Sequence, residues 1–432
     1  MKRVLSMTVG LLVLACLPVW ADTEITWMNY GQPQEKAVFE KLVTKFEASH
    51  PGVKIKMITT TGDQFGAKIQ AAMASNTLPD IFYVGPADVR TYVDNKKLLD
   101  LTPFLTASKN IDTKQVWENA MKKYRYDGKV IGQGAQWALP KDLGPFAFGY
   151  NKTMFKKAGI PLPSKDKPYT FQEFIDVSKK LTKDVNGDGK LDQWGTGLNV
   201  RWSFIQFAWG NGADFLDASQ TKVTITDPKF TEALQFFADM TLKHGITPSM
   251  GEAQSLDTYQ RWLKGQIAFF PIAPWDLGAF KDLSFDYDLI PWPVGKEGMK
   301  SATWVGSLGY GVAATSKNPA VAAEFAMYLT ADPEANKTMV DLDLQVPNIA
   351  SLRDAYVSKP GKPENREEYI KIISDYGRSW PADNTYNAVW FDEFWPNIQK
   401  VLDGKQTAVD YAKIEEPKMQ KLLDRANAKM KK

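Results

Sequence analysis

Only one cysteine, Cys16, and two histidines, His50 and His244, occur in 432 residues. That scarcity excludes a disulfide framework and a Cys/His zinc site, and it makes a Ser-His or Cys-His nucleophile improbable. An excess of one charge is also missing. The 53 Lys+Arg against 50 Asp+Glu leave +3, too little for the clustered basic field that nucleic acid requires. Long apolar runs are confined to the N-terminus, which excludes a polytopic membrane protein. There is no tandem repeat and no long Gly/Ser linker. What remains is an ordinary globular balance, 44% hydrophobic, 24% charged and 12% aromatic. At this length two packed lobes are expected, because single cores stop growing near ~250–300 residues.

Lys2 and Arg3 precede a short apolar stretch over residues 9–17, and Val19-Trp20-Ala21 sets small residues three and one positions before Asp22. Residues 1–21 therefore read as a signal peptide, cleaved after Ala21 and addressing the chain to the periplasm. The alternative is a lipid anchor at Cys16 within Val13-Leu14-Ala15-Cys16, where Leu14 is bulky for such a site. Cleavage after Ala21 removes the only cysteine, so the mature chain holds together by burial alone.

From Ile25 two periods alternate. Ile25-Thr26-Trp27-Met28-Asn29 reads as a strand, and Val53, Ile55 and Met57 mark another. Phe39, Leu42, Val43 and Phe46 recur at helical spacing between them, and Phe65, Ile69 and Met73 mark a second helix before the strand Asp80-Ile81-Phe82-Tyr83-Val84. This alternation implies parallel pairing with right-handed crossovers. Further on, Thr170 and Glu173 form a capping box. Helices are expected over residues 230–243 and 258–264, a buried strand over 267–271, and a helix from Asn318-Pro319 with Pro at its first position. Residues 408–432 read as a polar helix with Tyr411, Ile414, Met419 and Leu422 as a packing edge. The fold class is α/β.

Tyr150-Asn151-Lys152-Thr153-Met154-Phe155-Lys156-Lys157-Ala158-Gly159-Ile160-Pro161, followed by Tyr169-Thr170-Phe171-Gln172-Glu173-Phe174, resembles the signature of the extracellular sugar-binding proteins of ABC importers, the maltose-binding-protein-like group. Phe171 stands where that group usually has Trp. Leu78-Pro79-Asp80-Ile81, Gly210-Asn211-Gly212, Ala273-Pro274-Trp275 and Ser316-Lys317-Asn318-Pro319 follow in the family's order. The resemblance implies a type II periplasmic-binding-protein fold of two discontinuous lobes joined by a hinge. By comparison, residues 22–126 and 288–330 form the N-terminal lobe and 127–287 and 331–432 the C-terminal lobe, with crossings near 124–128, 286–288 and 329–333. It also implies a monomer, not an enzyme, that captures a sugar or oligosaccharide in an interlobe cleft, delivers it to an ABC transporter permease and requires no cofactor.

A sugar needs aromatic planes for its C–H faces and fixed polar groups for its hydroxyls. Trp275 follows an apolar strand and a Pro, where the family places a stacking Trp. Phe391 and Trp395 lie four residues apart, on one face if this segment is helical, and Trp209 precedes the turn Gly210-Asn211-Gly212. Polar candidates follow strand ends: Tyr30 and Gln32, Asp63 and Gln64, Asp88, Asp142 in the 140–145 loop, and Trp304, Gly306 and Ser307. Arg201 matches the stretch from which the second lobe supplies hydroxyl partners. The competing readings are core packing for any single aromatic, a helix cap or solvated carboxylate for Asp88 and Asp142, and a structural ion pair for Arg201.

Asp184, Asn186, Asp188 and Asp192 supply side-chain oxygens at positions 1, 3, 5 and 9 of a calcium-type loop, with Gly189 at 6 and the Lys190 carbonyl at 7. Gly195 stands at position 12, where a bidentate Glu is required. The loop is thus a candidate for structural calcium or an Asx-rich turn without metal. Two rival functions stay open: the same fold holding a polyamine, phosphodiester or sugar acid, and a secreted glycosidase or lyase using an Asp/Glu pair.

Overall fold

The computed structural model describes residues 23–430 apart from Gln32. Residues 1–21, read as a signal peptide and containing Cys16, and the ligand candidate Gln32 lie outside the described residues.

The first sheet has five strands in the order Val53–Thr60, Thr23–Tyr30, Ile81–Val84, Gly309–Val312, Ala138–Pro140. The first three run parallel, as their intervening helices Pro33–Ser49 and Gly62–Ser75 require, and Gly309–Val312 runs antiparallel to both its neighbours. Alternation explains the first strand: Ile25 and Trp27 are fully buried while Thr26 and Met28 are half-exposed. Phe39, Tyr83, Tyr310 and Phe325 meet the Trp27 ring edge-on at 5.1–6.3 Å. That geometry suits the aromatic quadrupole.

The second sheet runs Tyr287–Ile290, Ala147–Asn151, Ile267–Ile272, Trp194–Thr196. One face is covered by helices Phe171–Leu181, Val200–Gly210 and Pro228–Leu242 together with the C-terminal helix Ala408–Met430. The other face packs on Trp262, Phe280, Tyr356 and Tyr369. The Thr170/Glu173 capping box forms: Glu173 N donates to Thr170 Oγ1 at 3.2 Å and Thr170 N to Glu173 Oε2 at 2.8 Å. In the C-terminal helix Tyr411, Met419 and Leu423 are buried, whereas Ile414, expected on the packing edge, is exposed.

Strand pairing moves the lobe boundaries. Ala138–Pro140, expected in the second lobe, completes the first sheet, and Tyr287–Ile290 belongs wholly to the second. The chain crosses at residues 141–146 and returns at 303–308, where Gly144 and Pro145 pair antiparallel with Gly306 and Val305. Ala335, Met339 and Ile349 still pack in the first core, so the last crossing follows Ile349 rather than falling at 329–333. The boundaries carried over from the family sit too early because the connecting strands are only two to four residues long and show no periodicity to read.

Candidate functional site

The second lobe presents a continuous aromatic wall at the ends of its strands. Trp275 sits in the turn Pro274–Asp276 immediately after strand Ile267–Ile272. Trp202 sits in the first turn of helix Val200–Gly210, whose cap is Asn199, accepting from Arg201 N at 2.9 Å. Trp304 lies between them, its centroid 6.3 Å from Trp275, 5.9 Å from Trp202 and 5.5 Å from Trp380. Phe146 stacks behind it at 4.8 Å, and Trp304 Nε1 donates to the Trp202 carbonyl at 3.2 Å. Beyond Trp380 the wall continues through Phe391 and Trp395. Trp304 and Phe391 are buried and fix the surface, whereas Trp275 and Trp202 keep 38% and 49% of their area open. Gly144 is what lets Trp275 lie down on the crossing strand, since a Cβ there would fall 2.4 Å from the indole.

The first lobe meets Trp275 across a cavity lined by Pro33, Gln34, Glu35 and Val38, and carries two further polar candidates. Tyr30 ends the first strand, half-buried against Phe65 and Tyr83. Burial pushes its hydroxyl up to about 12; Lys141 opposes the rise, and Asp142, Glu35 and Asp88 add to it. Asp88 ends the turn Pro86–Asp88, open to water on one side, while the adjoining Ala87 packs on the second lobe's core. Burial among its neighbours pushes its carboxyl up to about 6, opposed by the Gly85 N–H and reinforced by Asp383 of the facing lobe.

At the base of the cleft, Lys141 Nζ lies 2.8 Å from Glu35 Oε1 and 2.8 Å from Asp142 Oδ2. Asp142 also accepts from Leu308 N at 3.0 Å, and Ser307, which accepts from Tyr124 OH, donates to the Asp142 carbonyl at 2.7 Å. Asp142 and Ser307, expected as ligand groups, are thus engaged in tying the two hinge strands together. Gly306 packs on Trp304 in the same strand pair.

Of the remaining candidates, Asp63 and Gln64 stand apart, whereas Trp209 and Arg201 border the wall. Asp63 and Gln64 are exposed in the first turn of their helix. Trp209 is buried, donates from Nε1 to Asp214 at 2.9 Å, and carries the Arg378 guanidinium 4.6 Å above its ring. Arg201 pairs with Asp392 at 2.8 Å and lies over Trp395 at 4.8 Å. Trp202, Trp380, Glu35 and Lys141 escape sequence reasoning: each stands beside charged or turn residues that read as surface. The adjoining residues Arg201, Asn199 and Asp142 were the available signals.

Two small cavities flank the wall. One of about 170 Å³ lies between the lobes against Trp275, Glu35 and Tyr259, and one of about 290 Å³ lies by Trp209, Arg378 and Trp380. A larger cavity of about 650 Å³ beside helices Val200–Gly210 and Met250–Ser255 includes only Asn199 of the residues singled out above.

In the 184–192 loop the side-chain oxygens are committed to backbone amides. Asp184 accepts from Gly187 and Gly189, Asn186 from Asp188, Asp188 from Lys190, and Asp192 from Val185, all at 2.7–3.0 Å. The Gly189 amide leads the contacts that hold the Asp184 carboxyl below its ordinary range. No cluster of three or more His, Cys, Asp or Glu groups suited to a metal occurs among the described residues. With Gly195 at position 12, a calcium shell here needs ligands beyond the loop's own donors.

The wall and the polar groups beside it suit a ligand with flat apolar faces and polar edges. The model of the bacterial extracellular solute-binding protein family matches residues 30–336. A galactooligosaccharide-binding protein of Bacillus subtilis (strain 168) is 25% identical over 403 residues, 90% of this chain and 85% of that protein. A proposed ABC transporter periplasmic-binding protein of Escherichia coli (strain K12) is 25% identical over 223 residues, 51% of this chain; the match spans about half of that relative, 49%. Among solved structures, an ABC substrate-binding protein of Listeria monocytogenes in complex with cycloalternan superposes with TM-score 0.82 at 24% identity, over 93% of this chain and 99% of that one. The maltose/maltodextrin-binding domain of Bdellovibrio bacteriovorus bound to maltotriose gives 0.73 at 20% identity, over 93% and 100%. At those identities the structures establish the α/β fold. Together with the family match, they show that this two-lobed chain belongs to the bacterial extracellular solute-binding proteins.

Proposed function

We propose that the protein is exported, captures a sugar or oligosaccharide between its lobes as a monomer, and delivers it unaltered to an ABC transporter permease. The observation that carries the reading is the pair of open indoles, Trp275 and Trp202, set on a buried aromatic base, with Gln34 and Glu35 of the first lobe lining a cavity against Trp275. Indole faces cover sugar C–H surfaces, and an amide and a carboxylate hydrogen-bond ring hydroxyls. The saccharide-binding relatives support it, as does the signal-like N-terminus. No helix among the described residues is long and apolar enough to cross a membrane. Closure about the 141–146 and 303–308 strands selects ligand, because only the closed state touches it from both lobes.

A thermal-shift screen against malto- and galacto-oligosaccharides, with polyamines, phosphodiesters and sugar acids as parallel arms, tests the reading, since bound ligand stabilises as RT ln(1+[L]/Kd). A shift with neutral saccharides, and their recovery intact by chromatography, is the expected result. A shift with sugar acids or polyamines alone, or cleavage products, overturns it.

A further inference from the structure

Residues 379–386 belong to the second lobe but run along the first. Ala382 is buried in the second core and Trp380 packs on it, which anchors the segment there. The first lobe holds it at four points. Arg90 Nη1 donates to the Asn384 carbonyl at 2.7 Å, and Thr91 Oγ1 to the Tyr386 carbonyl at 3.3 Å. Lys123 Nζ donates to Ser379 Oγ at 3.3 Å and lies 3.6 Å from the Asp383 carboxylate. Towards the hinge the seam continues with Asn119 Nδ2 donating to the Ile373 carbonyl at 3.3 Å. These are enclosed contacts: the Lys123 and Asp383 side chains are 11% and 12% exposed, and Arg90 is buried. Asp383 also accepts from Trp380 N at 3.2 Å, so the carboxylate that meets Lys123 helps hold the indole in the aromatic wall.

We infer that Arg90 and Lys123 are positioning residues for solute capture: they hold residues 379–386, and with them Trp380, against the first lobe in the closed state. These charge-assisted bonds join the two lobes, and each contributes more than a neutral hydrogen bond when water is excluded. Solute affinity then depends on two first-lobe side chains assigned no contact with the solute. The inference rests on the aromatic wall being the solute platform.

The test measures the wild type, Lys123→Met, Arg90→Lys and the double variant R90A/K123M. Small-angle scattering is recorded without added saccharide, and calorimetry and stopped-flow dissociation with the saccharide that shifts the wild type most in the thermal screen. The expected result is a larger radius of gyration for the double variant, an affinity roughly tenfold weaker per lost contact, carried by faster dissociation, and substantial rescue by Arg90→Lys. Circular dichroism identifies a variant that fails to fold; Lys123→Met, which keeps the side-chain stem, then decides alone. Unchanged scattering with unchanged affinity in a folded variant overturns the inference. If no saccharide binds the wild type, the saccharide reading fails separately, and the scattering comparison still decides whether the seam holds the lobes.

Discussion

Replacing Lys141 with Met retains most of the side chain's volume and deletes the charge at the base of the cleft. Its ammonium stands between two carboxylates, 2.8 Å from each, and all three side chains are nearly enclosed, 5% exposed for Lys141, 11% for Glu35 and 10% for Asp142. Burial by itself would lower the Lys141 pKa; Asp142 and then Glu35 overcome it and hold the group well above an ordinary lysine. Deleting the cation leaves two enclosed negative charges beside each other, and removing one partner of a buried pair costs about 3–5 kcal/mol. Urea unfolding followed by tryptophan fluorescence measures the loss. The triple variant E35Q/K141M/D142N should recover much of the stability, since no charge is then left without a partner. A K141M deficit below about 1 kcal/mol would refute the view that this charged cluster sets the stability of the hinge.

Trp275→Ala should weaken saccharide binding by about 1–3 kcal/mol in calorimetry, the usual range for a desolvated aromatic anchor, and unchanged affinity would remove it from the site. Glu368 is fully buried beneath Tyr376, whose hydroxyl donates to it, and burial pushes its carboxyl up to about 7 against that hydrogen bond. A folded pKa above the unfolded one means stability is complete below pH ~4.5 and declines as pH rises through ~7, by no more than about 3 kcal/mol; Glu368→Gln should flatten that decline in pH-dependent urea titrations. Chelation, or calcium added after chelation, should leave the melting temperature unchanged, and a calcium-dependent rise would show that the 184–192 loop recruits ligands beyond its own donors.

Elements with a strong period were legible. The first three strands, the helices between them, the Thr170/Glu173 box and the Pro319 helix start all stand where apolar spacing and cap chemistry put them. The crossings were not, because Ala138–Pro140 and Gly144–Pro145 are too short to carry a pattern and are recognised only by their distant partners Gly309–Val312 and Thr303–Gly306. At the site, Trp275 was readable from its place after a strand and a proline. Asp142 and Ser307 were found as residues near the cleft, but their partners, Lys141 and Tyr124, turn them towards the hinge. Trp202 and Trp380 were missed because a lone tryptophan in a polar neighbourhood is indistinguishable from surface until Trp304 is seen between them.

The insertion of Gly309–Val312 between Ile81–Val84 and Ala138–Pro140 has a consequence for biogenesis. About 170 residues separate the last earlier strand of that sheet from the one that must slot into its middle, and pairing across so long a loop is intrinsically slow. A nascent chain that has emerged only as far as the second sheet therefore carries unpaired strand edges and no finished first domain. A polypeptide in that state stays open, and its first sheet is completed only when residues 309–312 arrive.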